Sequence, residues 1–486
     1  MNTSSIHWFR LDLRLADNPA LQTAIERGGA VVPAFIWSPD EEGDWPPGGA
    51  SQWWLHQSLA ALDDRLRKGG SRLVIRRGPT LETLRALAKE TGAQAVFWNR
   101  RYEPAVMARD AKVQEALSAD GLAVQTFNAA LLHEPWTIQN QSGKPFQVFT
   151  PFWRNCLAQP DPVAPQTAPK HWPAPPKWPK SLALGALELE PKLNWAEGFR
   201  AAWQPGEAGA AKSLKTFLAN PFDDYSELRN RPDLTGTSRL SPHLHFGELS
   251  PRQVWHGLKQ MAVKRGLPVA SWRGSQFLAE LGWREFAHHL LFHFPHTPTE
   301  PLRPAFKNFR WRQDAPGLRA WQKGGTGYPI VDAGMRELWT TGWMHNRVRM
   351  IVASFLVKDL LISWQEGARR FWDTLVDADL AQNTLGWQWT AGCGADAAPY
   401  FRVFNPTTQG QKFDPQGNYV RRWCPELAKL PAKWIHQPEK APSDILRAAG
   451  VELGRTYPQP VVGHAIVREV ALEAFARIKP VQTESQ

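Results

Sequence analysis

The chain has 486 residues, 57 Lys and Arg against 46 Asp and Glu, and a net charge of +11. That length exceeds one ordinary core and implies two or three domains, and the positive balance suits nucleic acid over an acidic partner, although a basic surface can also be inert. No apolar run reaches the ~20 residues of a membrane span, the start MNTSSIHWFRLDLRL lacks the order of a secretory leader, and 3 cysteines without a CxxC argue against structural zinc and for a reducing compartment, hence the cytoplasm.

The first stretch alternates short apolar runs with amphipathic segments. IHWFR, AVVPAFIW, RLVIRRG, AVFWN and LAVQTF read as strands by length, β-branching and flanking turns. Between them, SQWWLHQSLAALDDRLRKGG and TLETLRALAKETG read as helices, the second opening at Thr80 and closing on Gly92. Such alternation predicts a Rossmann-like, doubly wound parallel sheet. No GxGxxG follows the first strand; Asp17 or Asn18 instead caps a helix that begins at Pro19, which leaves no glycine cradle for a pyrophosphate. Residues 159–180, QPDPVAPQTAPKHWPAPPKWPK, are too rich in proline for helix or ladder and read as a connector. Beyond Phe199 the apolar spacing turns helical, as in GSQFLAELGWREFAHHLLFHF and NRVRMIVASFLVKDLLISW, so an all-α region is expected there.

Several stretches carry candidate chemistry. In GTSRLSPHLHFGELSPRQ, Thr237, Ser238 and Ser241 surround Arg239 before a short helix, a set that suits a phosphate and equally a plain N-cap with a surface arginine. Glu280 and Trp283 share a helix face with Arg284, as a buried acid beside an indole or as an exposed carboxylate beside a core one. His289 and His293, four apart, lack a third ligand, and no metal is expected. Asn346 and Met350 lie one turn apart and offer hydrogen bonds plus a soft contact to a flat ligand, or simple packing. VDADLAQNTLGWQW places Asp377, Asp379, Asn383, Trp387 and Trp389 in what reads as a loop-like run with Gly386; the acids can accept from a heterocycle's N–H groups or from Arg349. The chain holds 25 tryptophans and 6 tyrosines, so most indoles serve packing and a few are free for other work.

Together with WFRLDLRLADNPAL, GTSRLSP, LAELGWREF, GTGYPIVDAGMREL, TGWMHNRVRMIVASFLVKDLLISW, DAAPYFRVFNPTTQGQKFD and YPQPVVGH, these stretches resemble, nearly end to end, the photolyase/cryptochrome family of flavoproteins. The resemblance implies an α/β antenna domain over residues 1–130, a connector over 131–198 and a helical FAD-binding domain over 199–486. It implies that Tyr225, Thr237, Ser238, Arg239, Leu240 and Ser241 hold the FAD phosphates and ribose, that Asp377 and Asp379 lie near flavin and ribose with Arg349 pairing one of them, and that Asn383 faces flavin N5. Trp387, Trp364 and Trp311 match the family's electron path from flavin to surface, with Trp321, Trp339 and Trp372 as possible branches. Glu280, Asn346, Trp283, Trp389 and Met350 match the lesion pocket, and Arg229, Arg347 and Gln409 the DNA side.

The activity implied is light-driven repair of cyclobutane pyrimidine dimers in DNA by a monomer, with reduced FAD as electron donor. Members that repair (6-4) photoproducts place histidines where Asn346 and Met350 stand, and plant cryptochromes usually place aspartate at the position of Asn383. A blue-light sensor is the other reading; against it stand Asn383 and an end at Gln486 soon after YPQPVVGH. RRYEPAVMARD replaces the asparagine–glutamate pair of some folate-binding members, while WWLHQSL and RRYEPA look closer to relatives that hold methenyltetrahydrofolate in a different position. Methenyltetrahydrofolate is therefore expected as antenna over a deazaflavin.

Overall fold

The structure, a computed structural model, describes residues 4–397 and 402–478, so part of the DAAPYF stretch lies outside the described residues. Strands β1 (Ser5–Phe9), β2 (Val31–Trp37), β3 (Val74–Arg77), β4 (Ala95–Asn99) and β5 (Ala123–Phe127) form one parallel sheet in the order β3-β2-β1-β4-β5. Ile6 stands opposite Val32 on one side and Val96 on the other. β1, β2 and β4 are buried along their whole length, the signature of a sheet covered on both faces. One side of it packs Trp8 and Trp98 with Leu84, Leu87 and Leu117 from the flanking helices.

The helix starts follow local chemistry. Asn18 caps Pro19–Glu26 by accepting the Leu21 N–H at 3.2 Å, whereas Asp17 turns away at φ 51° and receives the Ser250 hydroxyl at 2.5 Å and Arg252 at 2.9 Å. Helix Thr80–Thr91 ends on Gly92 at φ 66°, a conformation that glycine adopts without a Cβ penalty. Its start falls at Thr80 as expected; Pro79 holds the cap position, and a distant carboxylate, Glu41, accepts the Thr80 N–H at 3.1 Å. No regular element occurs between Ala158 and Leu184, as the prolines require.

Strand order reverses between β1 and β4, and the crevice beyond the carboxyl ends of such strands is where open α/β sheets bind ligands. Here paired side chains line a small pocket. Asn99 donates to Asp12 at 2.5 Å and to Asn18 at 2.7 Å, Arg10 pairs with Asp110, and Arg101 holds Glu42 at 2.7 Å and Glu103 at 2.9 Å.

By backbone proximity the chain forms two compact units: Met1–Asn220 with Ser238–Pro295 and Val376–Leu380, and Pro221–Thr237 with His296–Leu375 and Ala381–Gln486. The boundaries expected at residues 130 and 198 differ from these: 130 lies just after the last strand, Ala123–Phe127, and 198 lies in helix Glu197–Ala202. The second unit is helical, with Ala315–Lys323, Pro329–Thr341, Asn346–Ser354, Trp364–Thr374 and His464–Ala476 among its members. The buried Asp332 carboxylate ties the GTGYP turn together: it accepts the N–H groups of Thr326 at 2.7 Å and Gly327 at 3.0 Å and the Tyr457 hydroxyl at 2.6 Å. Tyr457 opens YPQPVVGH, so two of the quoted stretches serve one buried acceptor.

Candidate flavin and DNA sites

In the first unit, Asp377 and Asp379 are both only 8 % exposed, and the Asp379 N–H donates to the Asp377 carbonyl at 2.8 Å, which folds the DAD tripeptide tightly. Asp379 Oδ2 lies 3.4 Å from His288 Nε2 and 4.0 Å from His245 Nδ1. Carboxylates buried in this way suit a ligand that presents N–H or hydroxyl donors. The turn that precedes helix Ser241–His245 carries Arg239 at φ 52°, a backbone region that non-glycine residues seldom adopt and that clusters at ligand clamps. Arg239 lies over the Trp203 ring at 4.1 Å, Leu240 is buried, and Ser238 and Ser241 are half-buried. Below them Glu248 takes His243 and the Trp54 N–H, the latter at 2.9 Å.

On helix Gln276–His293, Glu280 is half-buried and accepts from Gln276 at 2.8 Å, while Trp283 stacks on Phe149 with centroids 3.9 Å apart. The acid is thus neither fully buried nor fully exposed. His289 and His293 each place a ring nitrogen 3.2 Å from the Pro135 carbonyl, and among the described residues no cluster could hold a metal.

In the second unit the run after Asp379 is a helix, Leu380–Ala391, and not loop-like. Leu380, Ala381, Gln382, Leu385 and Gln388 favour helix enough to absorb Gly386, whose cost is about 1 kcal/mol. Asn383 donates its amide to the Ala368 carbonyl at 3.1 Å, which fixes an uncharged group one turn into that helix. Trp387, 2 % exposed, packs its six-membered ring on Gly367, which lies one turn beyond Trp364 on helix Trp364–Thr374, so the two indoles face the same strip of helix. Trp321 makes an edge contact with Trp387 at 6.2 Å and is fully buried; Trp311 is half-buried against Phe309 at 4.3 Å; Trp372 is half-buried and Trp339 is exposed. The Arg312 N–H bonds the Leu361 carbonyl at 2.7 Å, which brings the Trp311 segment to the start of that same helix. A Cβ on Gly367 would come within 2.0 Å of Trp387. Gly367→Ala is therefore expected to destabilise the protein by about 1–3 kcal/mol in chemical denaturation, because an overpacked core must shift the indole.

Arg347 organises the basic side of this unit. It donates to Asn230 Oδ1 at 2.6 Å, lies 4.5 Å from the Phe413 ring and reaches Met350 Sδ at 3.6 Å. That brings the segment of Tyr225 and Arg229, whose own ring and guanidinium stand 5.9 Å apart, together with helix Pro406–Phe413, which carries the half-buried Gln409. Thr237 is half-buried beyond Gly236, which packs on Leu228. Asn346 is exposed at the first position of its helix, Trp389 is half-buried, and Arg349 donates to the Met344 carbonyl at 2.7 Å.

The cap of helix Asn346–Ser354 is His345, whose Nδ1 accepts the Arg347 N–H at 3.2 Å and so must be unprotonated. Burial, then Arg347, Arg349 and Arg229, push its pKa down to about 3. A depressed base contributes stability that is present above its unfolded value of about 6.5 and is lost as pH falls toward the folded value. Denaturation midpoints are expected to drop as pH falls from neutral to about 4, by an amount on the order of 3 kcal/mol from this group, and His345→Asn should flatten that dependence while it keeps a cap.

Sequence reasoning missed His288 and His245. Their adjacency to Asp379 joins segments far apart in the chain, and the only signal was the doubled histidine of FAHHLL.

A five-stranded parallel sheet without a glycine cradle, a helical region and paired buried acids before a Trp-rich helix define a flavin-binding photolyase-type fold. The DNA photolyase family matches residues 5–175, and the FAD binding domain of DNA photolyase matches residues 277–477. The chain is 52% identical to the deoxyribodipyrimidine photo-lyase of Agrobacterium fabrum over 98% of each chain. It is 43% identical to cryptochrome-1 of Arabidopsis thaliana over 99% of this chain and 71% of that one. A crystal structure of a bacterial class III photolyase from Agrobacterium tumefaciens superposes with a TM-score of 0.94 at 51% identity, covering 98% of each chain. The chain belongs to the photolyase/cryptochrome family.

Proposed function

We propose that the protein is a carbon–carbon lyase that uses light and reduced FAD to split cyclobutane pyrimidine dimers in DNA. The observation that carries this reading is the 52% identity, over nearly the whole of both chains, to a deoxyribodipyrimidine photo-lyase. The paired buried acids and the anchored amide of Asn383 fit a flavin, which offers imide and hydroxyl donors and a ring nitrogen. When bound, reduced FAD supplies an electron on excitation and receives it back once the ring has opened.

The chain's own residues do the rest. Asp377 and Asp379 accept from flavin and ribose; Tyr225, Thr237, Ser238, Arg239, Leu240 and Ser241 hold the phosphates and ribose; Arg349 pairs with one of the acids. Asn383 hydrogen-bonds N5 without adding charge, as a neutral amide can in either protonation state. Trp283 and Trp389 offer ring faces to an extruded dinucleotide, Met350 adds a soft contact, and Arg229, Arg347 and Gln409 lie toward DNA, whose phosphates the charge of +11 favours. Asn346 through its amide N–H, and Glu280 when its carboxyl carries a proton, donate to the pyrimidine carbonyls and stabilise charge that develops on them. Glu280→Ala is expected to lower repair per absorbed photon several-fold at unchanged FAD content, checked by absorbance and product analysis.

The antenna we propose is methenyltetrahydrofolate. The support is the likeness of WWLHQSL and RRYEPA to relatives that hold this folate in a different position. An absorption band beyond those of FAD in the purified protein tests this. We take the protein as a monomer and place it in the cytoplasm, whose reducing conditions suit its free, buried cysteines, Cys156, Cys393 and Cys424. Resemblance to a plant cryptochrome keeps a sensor role as the competing reading. Loss of dimers from irradiated oligothymidine in light and not in the dark supports repair; dimers that persist in both support the sensor.

A further inference from the structure

The ring of His288 lies between two oxygens. Its Nδ1 is 3.0 Å from the Arg284 carbonyl and its Nε2 is 3.4 Å from Asp379 Oδ2. A neutral imidazole carries one N–H, so in either tautomer a lone pair confronts an oxygen, whereas both contacts are favourable when the ring carries two protons or the carboxyl carries one. One proton more than a neutral histidine beside an ionised aspartate would satisfy both contacts, and two groups this close titrate as a pair.

We infer that His288 is a positioning residue for the flavin site: it shares a proton with Asp379, and that proton favours the anionic, fully reduced flavin over the oxidised one. This rests on the reading that Asp379 faces the flavin. Without the proton, Asp379 carries its full charge where negative charge must be added on reduction, which raises the cost of reduction.

The surroundings let the proton exchange. A small pocket open to solvent is lined by Tyr102, Glu103, His245, Arg284, His288 and Asp379, with Asp12, Asn99 and Arg101. Burial, the largest influence, holds the His288 pKa below the ordinary imidazole value, with Asp379 pushing it up and Arg284 pushing it down, so a proton shared by the pair leans toward the carboxyl. Glu103, tied to Arg101 at 2.9 Å, adds a fixed negative charge, and His245 stands 4.0 Å from the same Asp379 oxygen, with Asp377 two residues back. Tyr102 presents its ring to His288 edge-on at 6.2 Å.

The test is spectroelectrochemical titration of the FAD-loaded, full-length protein from mildly acidic to alkaline pH, with His288→Asn and His288→Arg alongside. His288→Asn is expected to disfavour reduction about tenfold, about 30 mV for a two-electron couple, and to flatten the pH profile. His288→Arg, a permanent cation, should restore the potential and not the pH profile. An unchanged potential and profile in His288→Asn overturns the inference. Should that variant fold poorly, ¹⁵N-histidine spectra of the parent protein decide: a neutral, single-tautomer His288 beside an ionised Asp379 overturns it, and a doubly protonated ring or shared proton upholds it. If Asp379→Ala binds FAD as tightly as the parent protein, the reading of the flavin site fails separately from the result on the proton.

Discussion

Asp377→Ala and Asp379→Ala are each expected to weaken FAD binding about ten- to a hundredfold, the effect of losing a hydrogen bond to a charged acceptor worth about 1.5–3 kcal/mol. Both side chains are 8 % exposed, so solvent does not compete for them, and a ligand donor that loses its partner there finds no water in its place. The double variant should purify without yellow colour. The ratio of flavin absorbance to protein after gel filtration, with circular dichroism to confirm the fold, measures the effect. Retention of stoichiometric FAD by the double variant would contradict the assignment of these acids.

Trp387→Phe is expected to slow the light-driven reduction of oxidised FAD by at least tenfold, since oxidising phenyl in place of indole adds far more than the ~1.4 kcal/mol that tenfold represents. In the proposed path Trp387 is the indole next to the flavin, buried and packed on Gly367 one turn from Trp364, with Trp321 stacked on Phe371 of the same helix. Chemically reduced Trp387→Phe should still repair, because the path serves reduction and not ring opening. Flash photolysis of the oxidised protein gives the first result, and a repair assay with dithionite-reduced protein gives the second. If Trp321, 6.2 Å from Trp387, carries an alternative path that bypasses it, photoreduction survives the substitution and falls only in the double variant with Trp321→Phe.

Much of the α/β half was legible because its signals are local. Five apolar runs between turns marked five strands, Pro19 narrowed the cap to Asp17 or Asn18, of which Asn18 fills it, and Gly92 marked a helix end. The helix Leu380–Ala391 was not legible, because Asn383 and Gly386 weaken a pattern that packing of Trp387 on Gly367 restores. Nor was the support of Asp379. Its histidines come from helix Gln276–His293 and from the end of helix Ser241–His245, and contacts at such separation leave no periodicity to read. The same holds for Glu41 at the start of helix Thr80–Thr91. Motif-level resemblance carried the site residues further than spacing could, and Asn383 is the residue on which repair and signalling readings divide.

Thymine dimers in a short single strand absorb little in the near ultraviolet, and their splitting restores thymine absorbance. Purified protein, chemically reduced and illuminated with blue light, is predicted to restore that absorbance over many turnovers with no net change in flavin redox state. Reduced, FAD-loaded protein that leaves the dimers intact under the same light would contradict the account.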